Sequence, residues 1–175
     1  MAESAVAGTV INERYVLREA LGQGGMGQVF LAEDTWHSGR PVAIKKVRND
    51  RLGRTEAINL RMEFLAVARL NHPNLARPFN FGRDWENGDY FFTSEYVDGV
   101  HLNSGVTVDD TEAQLEALAQ SCRGLEFLHN RGLVHGDIKP ENMLLQANRV
   151  SLDGADPRRT SGAFRIKLID FGLTV

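Results

Sequence analysis

Four polar residues stand beside apolar runs in the second half of the sequence. Asp137, Lys139 and Asn142 lie in "LVHGDIKPENMLL", and Asp170 closes the strand-like run "KLID" before Phe-Gly. Two carboxylates and a carboxamide offer hard oxygen atoms, which Mg²⁺ prefers when phosphates and water complete its shell. Each of these oxygen donors alone could cap a turn through an Asx contact. Together they favour a magnesium–phosphate site.

Lys45 could supply a positive charge to such a site. It follows three small or apolar residues in the run "VAIK". Most strand lysines are solvated edge charges, but one that leaves an apolar surface needs a counter-charge or a phosphate to stay ionised. Glu63 is a suitable partner on a predicted helix, one turn before Val67. The alternative is an exposed Glu63 that pairs with Arg61 or Lys46.

Three glycines form the pattern G-x-G-x-x-G in "LGQGGMGQVFLAED". They are Gly22, Gly24 and Gly27. A dinucleotide-binding fingerprint needs a helix directly after the third glycine. Here "VFL" continues as a strand, which favours a loop whose backbone N–H groups approach phosphates without an intervening Cβ. The glycine pattern alone is a weak signal.

Two stretches of different character must position these residues. The first predicts five antiparallel strands, with a helix from about Thr55 to Leu70 after the third strand and a hairpin at Asn87-Gly88. The second predicts a long helix that opens with a capping box at Thr111 and ends before Gly132. Two more strands, "NMLL" and "FRIKLID", flank an exposed loop at 146–163.

The long helix carries an apolar stripe that should face a core. Its members are Leu115, Leu118, Cys122, Leu125 and Leu128. Cys122 is therefore expected in the core, as a small apolar residue on such a stripe usually is.

Composition narrows the class of protein. The 175 residues are 42% hydrophobic and 25% charged, with a net charge of −3, which is typical of a soluble globular chain and gives no global basic field for nucleic acid. One cysteine cannot form an intrachain disulfide, and no apolar run approaches membrane-spanning length. A cytoplasmic protein without nucleic-acid or membrane partners is the expectation.

Seven motifs in order resemble the protein kinase family, in particular its bacterial serine/threonine members. They are "GQGGMGQV", "VAIK", the helix residue Glu63, "HPNL", "SEYVDG", "HGDIKPEN" and "DFG", and the resemblance runs from about Tyr15 to Leu173. It implies an α+β protein-kinase fold. A five-stranded antiparallel N-lobe with helix C would span 15–97 after an extension at 1–14. An incomplete, mainly helical C-lobe with helix E, the catalytic loop and DFG would span 98–175.

The resemblance also implies roles in phosphoryl transfer from MgATP to a protein serine or threonine. Lys45, clamped by Glu63, would hold the α and β phosphates, while Asp170 and Asn142 would hold Mg²⁺. Asp137 would accept the proton of the attacking hydroxyl. Lys139, which is typical of the serine/threonine subclass, would steady the γ phosphate.

ATP would be enclosed by residues from both predicted lobes. The family's adenine and phosphate contacts fall here on Leu21, Gly22, Gly24, Gly27, Val29, Ala43, Lys45, Ser94, Glu95, Val97 and Leu144. Ser94 occupies the gatekeeper position, so the back of the pocket should be roomy. His135, Val67 and Phe171 resemble residues of the family's structural spine.

Several features depart from the family pattern. Gly136 stands where relatives commonly carry an arginine that pairs with a phosphorylated activation segment, and Pro78 replaces a larger aliphatic residue. The chain ends just after DFG, so we expect a partial kinase domain with weak or absent phosphotransfer by itself. The main alternative is a non-catalytic nucleotide-binding or scaffold module, and a small-molecule kinase is a third.

Overall fold

A computed structural model describes residues 7–24, 27–48, 54–105, 110–147 and 164–170. The chain forms two compact units. The first comprises Met1–Leu70 and Arg77–Tyr96, and the second comprises Asn71–Ala76 and Val97–Val175. The short segment Asn71–Ala76 thus belongs to the second unit, although both of its sequence neighbours belong to the first. The domain limits expected from the sequence stay predictions.

The first unit is built on a six-stranded antiparallel sheet. Its strands are β1 (Val10–Ile11), β2 (Tyr15–Gly24), β3 (Gly27–Asp34), β4 (Arg40–Val47), β5 (Pro78–Arg83) and β6 (Tyr90–Glu95), in the order β1-β2-β3-β4-β6-β5. Five of them are the predicted strands. The sixth, β1, has only two residues, which is too short for an alternating pattern to reveal it.

Alternation along the strands gives the sheet a core face. Buried residues on this face are Ile11, Tyr15, Leu17, Phe30, Ala32, Val42, Ile44 and Phe91. On β3 and β4 the intervening residues, such as Val29 and Lys45, are only half-buried. Because successive side chains of a strand point to opposite faces, Val29 and Lys45 lie on the face away from this core.

Helix α1 (Arg54–Val67) connects β4 to β5. Phe64 and Val67 are buried, and the Phe64 ring lies 5.8 Å from the ring of Phe81 on β5. Phe64 thus packs α1 against β5. The helix ends at Val67 rather than near Leu70, where the chain makes only a turn-type bond from Leu70 N to Val67 O of 2.9 Å.

The second unit combines helices with a small sheet. Its elements are β7 (Val100–His101), α2 (Leu102–Gly105), α3 (Thr111–His129), a 3₁₀ turn (Pro140–Asn142), β8 (Met143–Ala147) and β9 (Phe164–Leu168). The antiparallel sheet has the order β7-β8-β9, so β9 is an edge strand. Strands β8 and β9 confirm the prediction, whereas β7 is an addition. Most of the predicted loop, residues 148–163, lies outside the described residues.

Helix α3 begins with a different cap from the one predicted. The Asp110 side chain accepts a hydrogen bond of 2.9 Å from Ala113 N, so Asp110 rather than Thr111 is the N-cap. The sequence "DDTEAQ" offers both residues, and aspartate is at least as good a cap as threonine. The capping box predicted at Thr111 therefore misplaces the N-cap by one residue.

The expected core position of Cys122 is also wrong, because α3 fully buries only Leu128 of the predicted stripe and otherwise buries another face. Its buried residues are Ala113, Ala117, Gln120, Ser121, Gly124 and Leu128. Leu115 and Leu118 are 62% and 55% exposed, and Cys122 is exposed. Small side chains let the helix approach β9 closely, since a Cβ on Gly124 would lie 3.2 Å from Leu168. None of the helices within the described residues is long and apolar enough to span a membrane.

Candidate active site

The loop before β8 brings three of the predicted catalytic residues together. The Asp137 carboxylate accepts hydrogen bonds from Lys139 Nζ at 2.7 Å and from Asn142 Nδ2 at 2.9 Å. The 3₁₀ turn Pro140–Asn142 folds the chain back, which lets Asn142 Nδ2 also donate to the backbone oxygen of Asp137 at 2.8 Å. Asp137 is thus held from two sides by residues close to it in the chain.

The charge state of this loop follows from those contacts. The hydrogen bond from Lys139 is the main cause that lowers the pKa of Asp137 below its ordinary value, and Asn142 adds to the effect. The same bond raises the pKa of Lys139. Asp137 is therefore an ionised acceptor at neutral pH, which is the state that a proton acceptor needs.

The loop that carries Asp137 also holds the backbone immediately before Asp170. Ile169 N donates to Asn142 O at 2.9 Å, and His135 Nε2 lies 3.1 Å from Ile169 O. Asp137 N donates to His135 Nδ1 at 3.4 Å, so the proton of this ring sits on Nε2 and is donated to Ile169 O. Burial lowers the pKa of His135, which favours this neutral form. His135 thereby links Asp137 to the residue before Asp170.

The oxygen donors of the second unit fit a magnesium ion that phosphates help to coordinate. Asn142 directs its Nδ2 to Asp137, which leaves Oδ1 as the atom that it could offer to a metal. Asp170 supplies a half-buried carboxylate. The described part of the chain holds no cluster of three or more His, Cys, Asp or Glu placed for a metal. Mg²⁺ does not need one, because it usually takes one or two carboxylates and completes its shell with water and phosphate.

In the first unit, one sheet face collects four of the predicted nucleotide contacts. Val29 pairs with Lys45 and Lys45 with Phe92, while Ala43 pairs with Ser94. Directly opposite residues share a face, so Val29, Ala43, Lys45 and Ser94 lie together on the side away from the core. The Lys45 ammonium lies 5.6 Å from the centre of the Phe92 ring.

Glu63 lies half-buried on α1 beside Phe64, and burial raises the pKa of its carboxyl. Among the ion pairs of the described residues, none joins Glu63 to Lys46, the alternative partner. Lys46 instead contacts Asp84 at 3.0 Å and Asp89 at 3.9 Å. The Lys45–Glu63 clamp stays a prediction.

The glycine pattern occupies the end of β2 and the start of β3. A Cβ on Gly27 would lie 1.9 Å from the backbone oxygen of Lys46, so no other residue fits without a shift of backbone. Gly22 has open space around it, and Leu21 beside it is 43% exposed. Gly24 ends β2. The two residues between the strands lie outside the described part.

The remaining predicted contacts are distributed over both units. Glu95 ends β6, and its carboxylate accepts from Arg77 N at 3.2 Å. Val97 is buried at the start of the main segment of the second unit, and Leu144 is half-buried on β8. Phe171 lies outside the described residues. Sequence reasoning did not find Gln120, a buried residue of α3 that contacts β9, because a buried glutamine and an exposed one look alike in a helical pattern.

The fold and the polar residues define a protein kinase domain. A glycine-rich strand pair precedes a strand lysine, and a loop holds Asp137 between Lys139 and Asn142 ahead of a strand that ends at Asp170. The sequence profile described as the protein kinase domain matches residues 15–175. The chain therefore belongs to the protein kinase family, whose members use ATP and a divalent metal ion.

Bacterial serine/threonine kinases are among its relatives. PknB of Mycolicibacterium smegmatis is 35% identical over 170 residues, which cover 93% of this chain and 24% of that protein. PksC of Streptomyces coelicolor is 38% identical over 143 residues, which cover 75% of this chain and 25% of that protein. The chain thus spans about a quarter of the length of these curated relatives.

Solved structures confirm the fold. The crystal structure of the Mycobacterium tuberculosis PknI kinase domain matches with a TM-score of 0.69 at 25% identity. The match covers 98% of this chain and 64% of the PknI chain. The expected α+β kinase fold is therefore confirmed.

Proposed function

We propose that this chain binds MgATP and carries the catalytic loop for phosphoryl transfer to a protein serine or threonine. The observation that supports this most is the Asp137 carboxylate held by Lys139 and Asn142 at 2.7 and 2.9 Å. A scaffold that only binds nucleotide has no need of a positioned proton acceptor. Because ATP is the proposed substrate, we also propose a cytoplasmic location.

The proposed step assigns one task to each residue. The hydroxyl oxygen of the protein substrate forms a bond to the γ phosphorus while the bond to the ADP oxygen breaks, and the hydroxyl proton passes to an Asp137 oxygen. Lys139 neutralises charge on the transferred group, and Lys45 holds the α and β phosphates. When bound to Asp170 and Asn142, Mg²⁺ supplies charge neutralisation between the phosphates. Positioning and electrostatics carry the rate, as phosphoryl transfer requires.

A thermal-shift titration with ATP, with and without Mg²⁺, tests the binding part. The wild-type melting temperature should rise with MgATP, since a ligand that binds only the folded state stabilises it. Lys45→Met should weaken the rise in both conditions, and Asp170→Asn should remove the contribution of Mg²⁺. A wild-type chain without any rise would contradict the proposal.

Phosphotransfer provides the second test. We expect weak or absent phosphorylation of a serine/threonine peptide by the 175 residues alone. Any signal should disappear in Asp137→Ala and persist in Ser121→Ala, whose hydroxyl contacts only α3 and Met143 in the described contacts. Activity that survives Asp137→Ala would reject the proposed proton acceptor.

A further inference from the structure

The outer edge of β9 is paired, although none of the strands in the described residues lies beside it. As the edge strand of its sheet, β9 presents backbone groups that need partners. The segment Asn71–Ala76 provides some, because Leu168 N donates to Asn74 O and Ala76 N donates to Leu168 O, both at 2.9 Å. The side-chain amides of Gln120 and Asn74 provide three more. Strand β9 leads directly to Asp170. The groups that bond to the edge of β9 therefore also influence the position of the Asp170 carboxylate.

Gln120 is the centre of this arrangement. Its Oε1 accepts from Ile166 N at 2.8 Å and from Asn74 Nδ2 at 3.0 Å. Its Nε2 donates to Phe164 O at 3.2 Å and to Glu116 Oε1 at 3.0 Å. A carboxamide has two acceptor sites and two donors, so all four are used. Asn74 Nδ2 adds a bond of 2.9 Å to Ile166 O.

The orientation of the Gln120 amide is fixed by backbone groups. Ile166 N can only donate, so the Gln120 atom that faces it must be the oxygen. Phe164 O can only accept, so the atom that faces it must be the nitrogen. The side chain is 8% exposed, and a buried amide with unmet bonds would destabilise the fold. Gln120 thus ties α3 to β9 in one register.

We infer that Gln120 is a positioning residue for Asp170 and, together with Asn74, sets the strength of the magnesium contact. This inference rests on the proposed function. Gln120 is not among the residues proposed to hold the metal or the nucleotide. It fixes Phe164 and Ile166, while Asn142 and His135 fix Ile169 from the catalytic loop. A strand held at both ends gives the following carboxylate a defined place, and displacement of a ligand by a fraction of an ångström weakens metal binding.

The test measures how strongly Mg²⁺ improves binding of a fluorescent ATP analogue to the 175-residue chain. Gln120→Glu keeps both acceptor contacts but loses both donors and places a second carboxylate beside Glu116. Gln120→Met removes all four bonds at similar length. Ser121→Ala is the matched control, since Ser121 is also buried on α3 and bonds to Ala117 O and Met143 rather than β9. Asp170→Asn shows how much Mg²⁺ still improves nucleotide binding when the Asp170 carboxylate is absent.

Both Gln120 variants should raise the half-saturating Mg²⁺ concentration about fivefold, the scale of one lost hydrogen bond. Affinity for the Mg²⁺-free nucleotide should stay within about twofold, and Ser121→Ala should behave as wild type. Circular dichroism checks that each variant is folded, and if Gln120→Met is not, Gln120→Glu decides.

A Gln120→Glu variant that melts earlier yet keeps the wild-type Mg²⁺ response would show a structural role only and overturn the inference. If the wild type binds the nucleotide without any Mg²⁺ effect, the proposed metal function fails and the inference fails with it. The two failures are distinct, because only the first leaves a wild-type Mg²⁺ response that Asp170→Asn abolishes.

Discussion

The two units hold their buried polar groups in opposite ways. In the first, the Asp34 carboxylate is 1% exposed and binds Arg14 through two hydrogen bonds of 2.8 Å, with His37 at 2.8 Å. In the second, the buried amides of Gln120 and Asn74 bond to each other and to backbone groups, with one further contact to the part-buried Glu116 carboxylate. The first network depends on charge and therefore on pH. The second depends mainly on geometry, since its amides do not titrate.

Removal of an amide from the second unit should give the largest effect. Asn74→Ala leaves Ile166 O without its side-chain donor and Gln120 with one partner fewer, in a buried place. We expect a loss of about 3 kcal/mol in the free energy of unfolding, from unsatisfied buried groups. The loss should be the same at pH 5 and pH 8. Chemical denaturation at both pH values measures it, with the exposed Asn103→Ala as control, and a strongly pH-dependent loss would contradict the comparison.

Removal of the Asp34 charge from the first unit should have a smaller effect on the free energy of unfolding, and this effect should change with pH. The hydrogen bond from Arg14 is the main cause that lowers the pKa of Asp34 from 3.8 to about 2. Because the folded-state pKa is lowered, the stabilisation is complete above the ordinary pKa and disappears as the pH falls through about 2. Asp34→Asn should therefore lose about 2 kcal/mol at neutral pH and progressively less below pH 4.

A neighbouring carboxylate supplies the control for Asp34. Glu33, the residue before Asp34 on β3, pairs with Arg18 on β2, but both side chains are exposed. Glu33→Gln should change the free energy of unfolding far less than Asp34→Asn does, since exposed ion pairs contribute little. Denaturation curves of both variants between pH 2 and pH 7 test the contrast. Equal losses at every pH would mean that charge does not explain the Asp34 network.

The smallest change in stability is expected on the exposed face of α3. Leu115 and Leu118 are more than half exposed, so Leu115→Gln with Leu118→Gln should change the free energy of unfolding by only about 0.5 kcal/mol. Exposed apolar stripes favour association, so the double variant should associate less than the wild type. Analytical ultracentrifugation measures this. An unchanged association state would show that this face is not where copies meet.

The sequence was most informative where residue type and backbone period agree. Val29, Ala43 and Lys45 fall on one sheet face because alternation places them there, and the run "HGDIKPEN" places Asp137 close to Lys139 and Asn142. Strand alternation and a tight turn are local, so the sequence carries them without knowledge of the rest of the fold.

Features that depend on distant partners were missed. Strand β7 has two residues and exists because β8 pairs with it. The leucines of α3 predict one buried face. Apart from Leu128, the helix instead buries the face of Gln120 and Gly124, because β9 needs close approach and hydrogen bonds there. Hydrophobic periodicity depends on the positions of apolar side chains only. It cannot reveal that the backbone groups at the edge of β9 need amide partners.

The second unit consists of two separate stretches of the chain, which limits the fragments of the protein that can be expressed as folded pieces. A gene fragment that encodes only residues 97–175 would omit Asn71–Ala76, and the rim of β9 would lose the partners of Leu168. Unpaired strand edges bind other chains, so such a fragment should aggregate and precipitate. The shortest piece that keeps the second unit whole must start at or before Asn71, and it therefore carries β5 and β6 of the first unit with it.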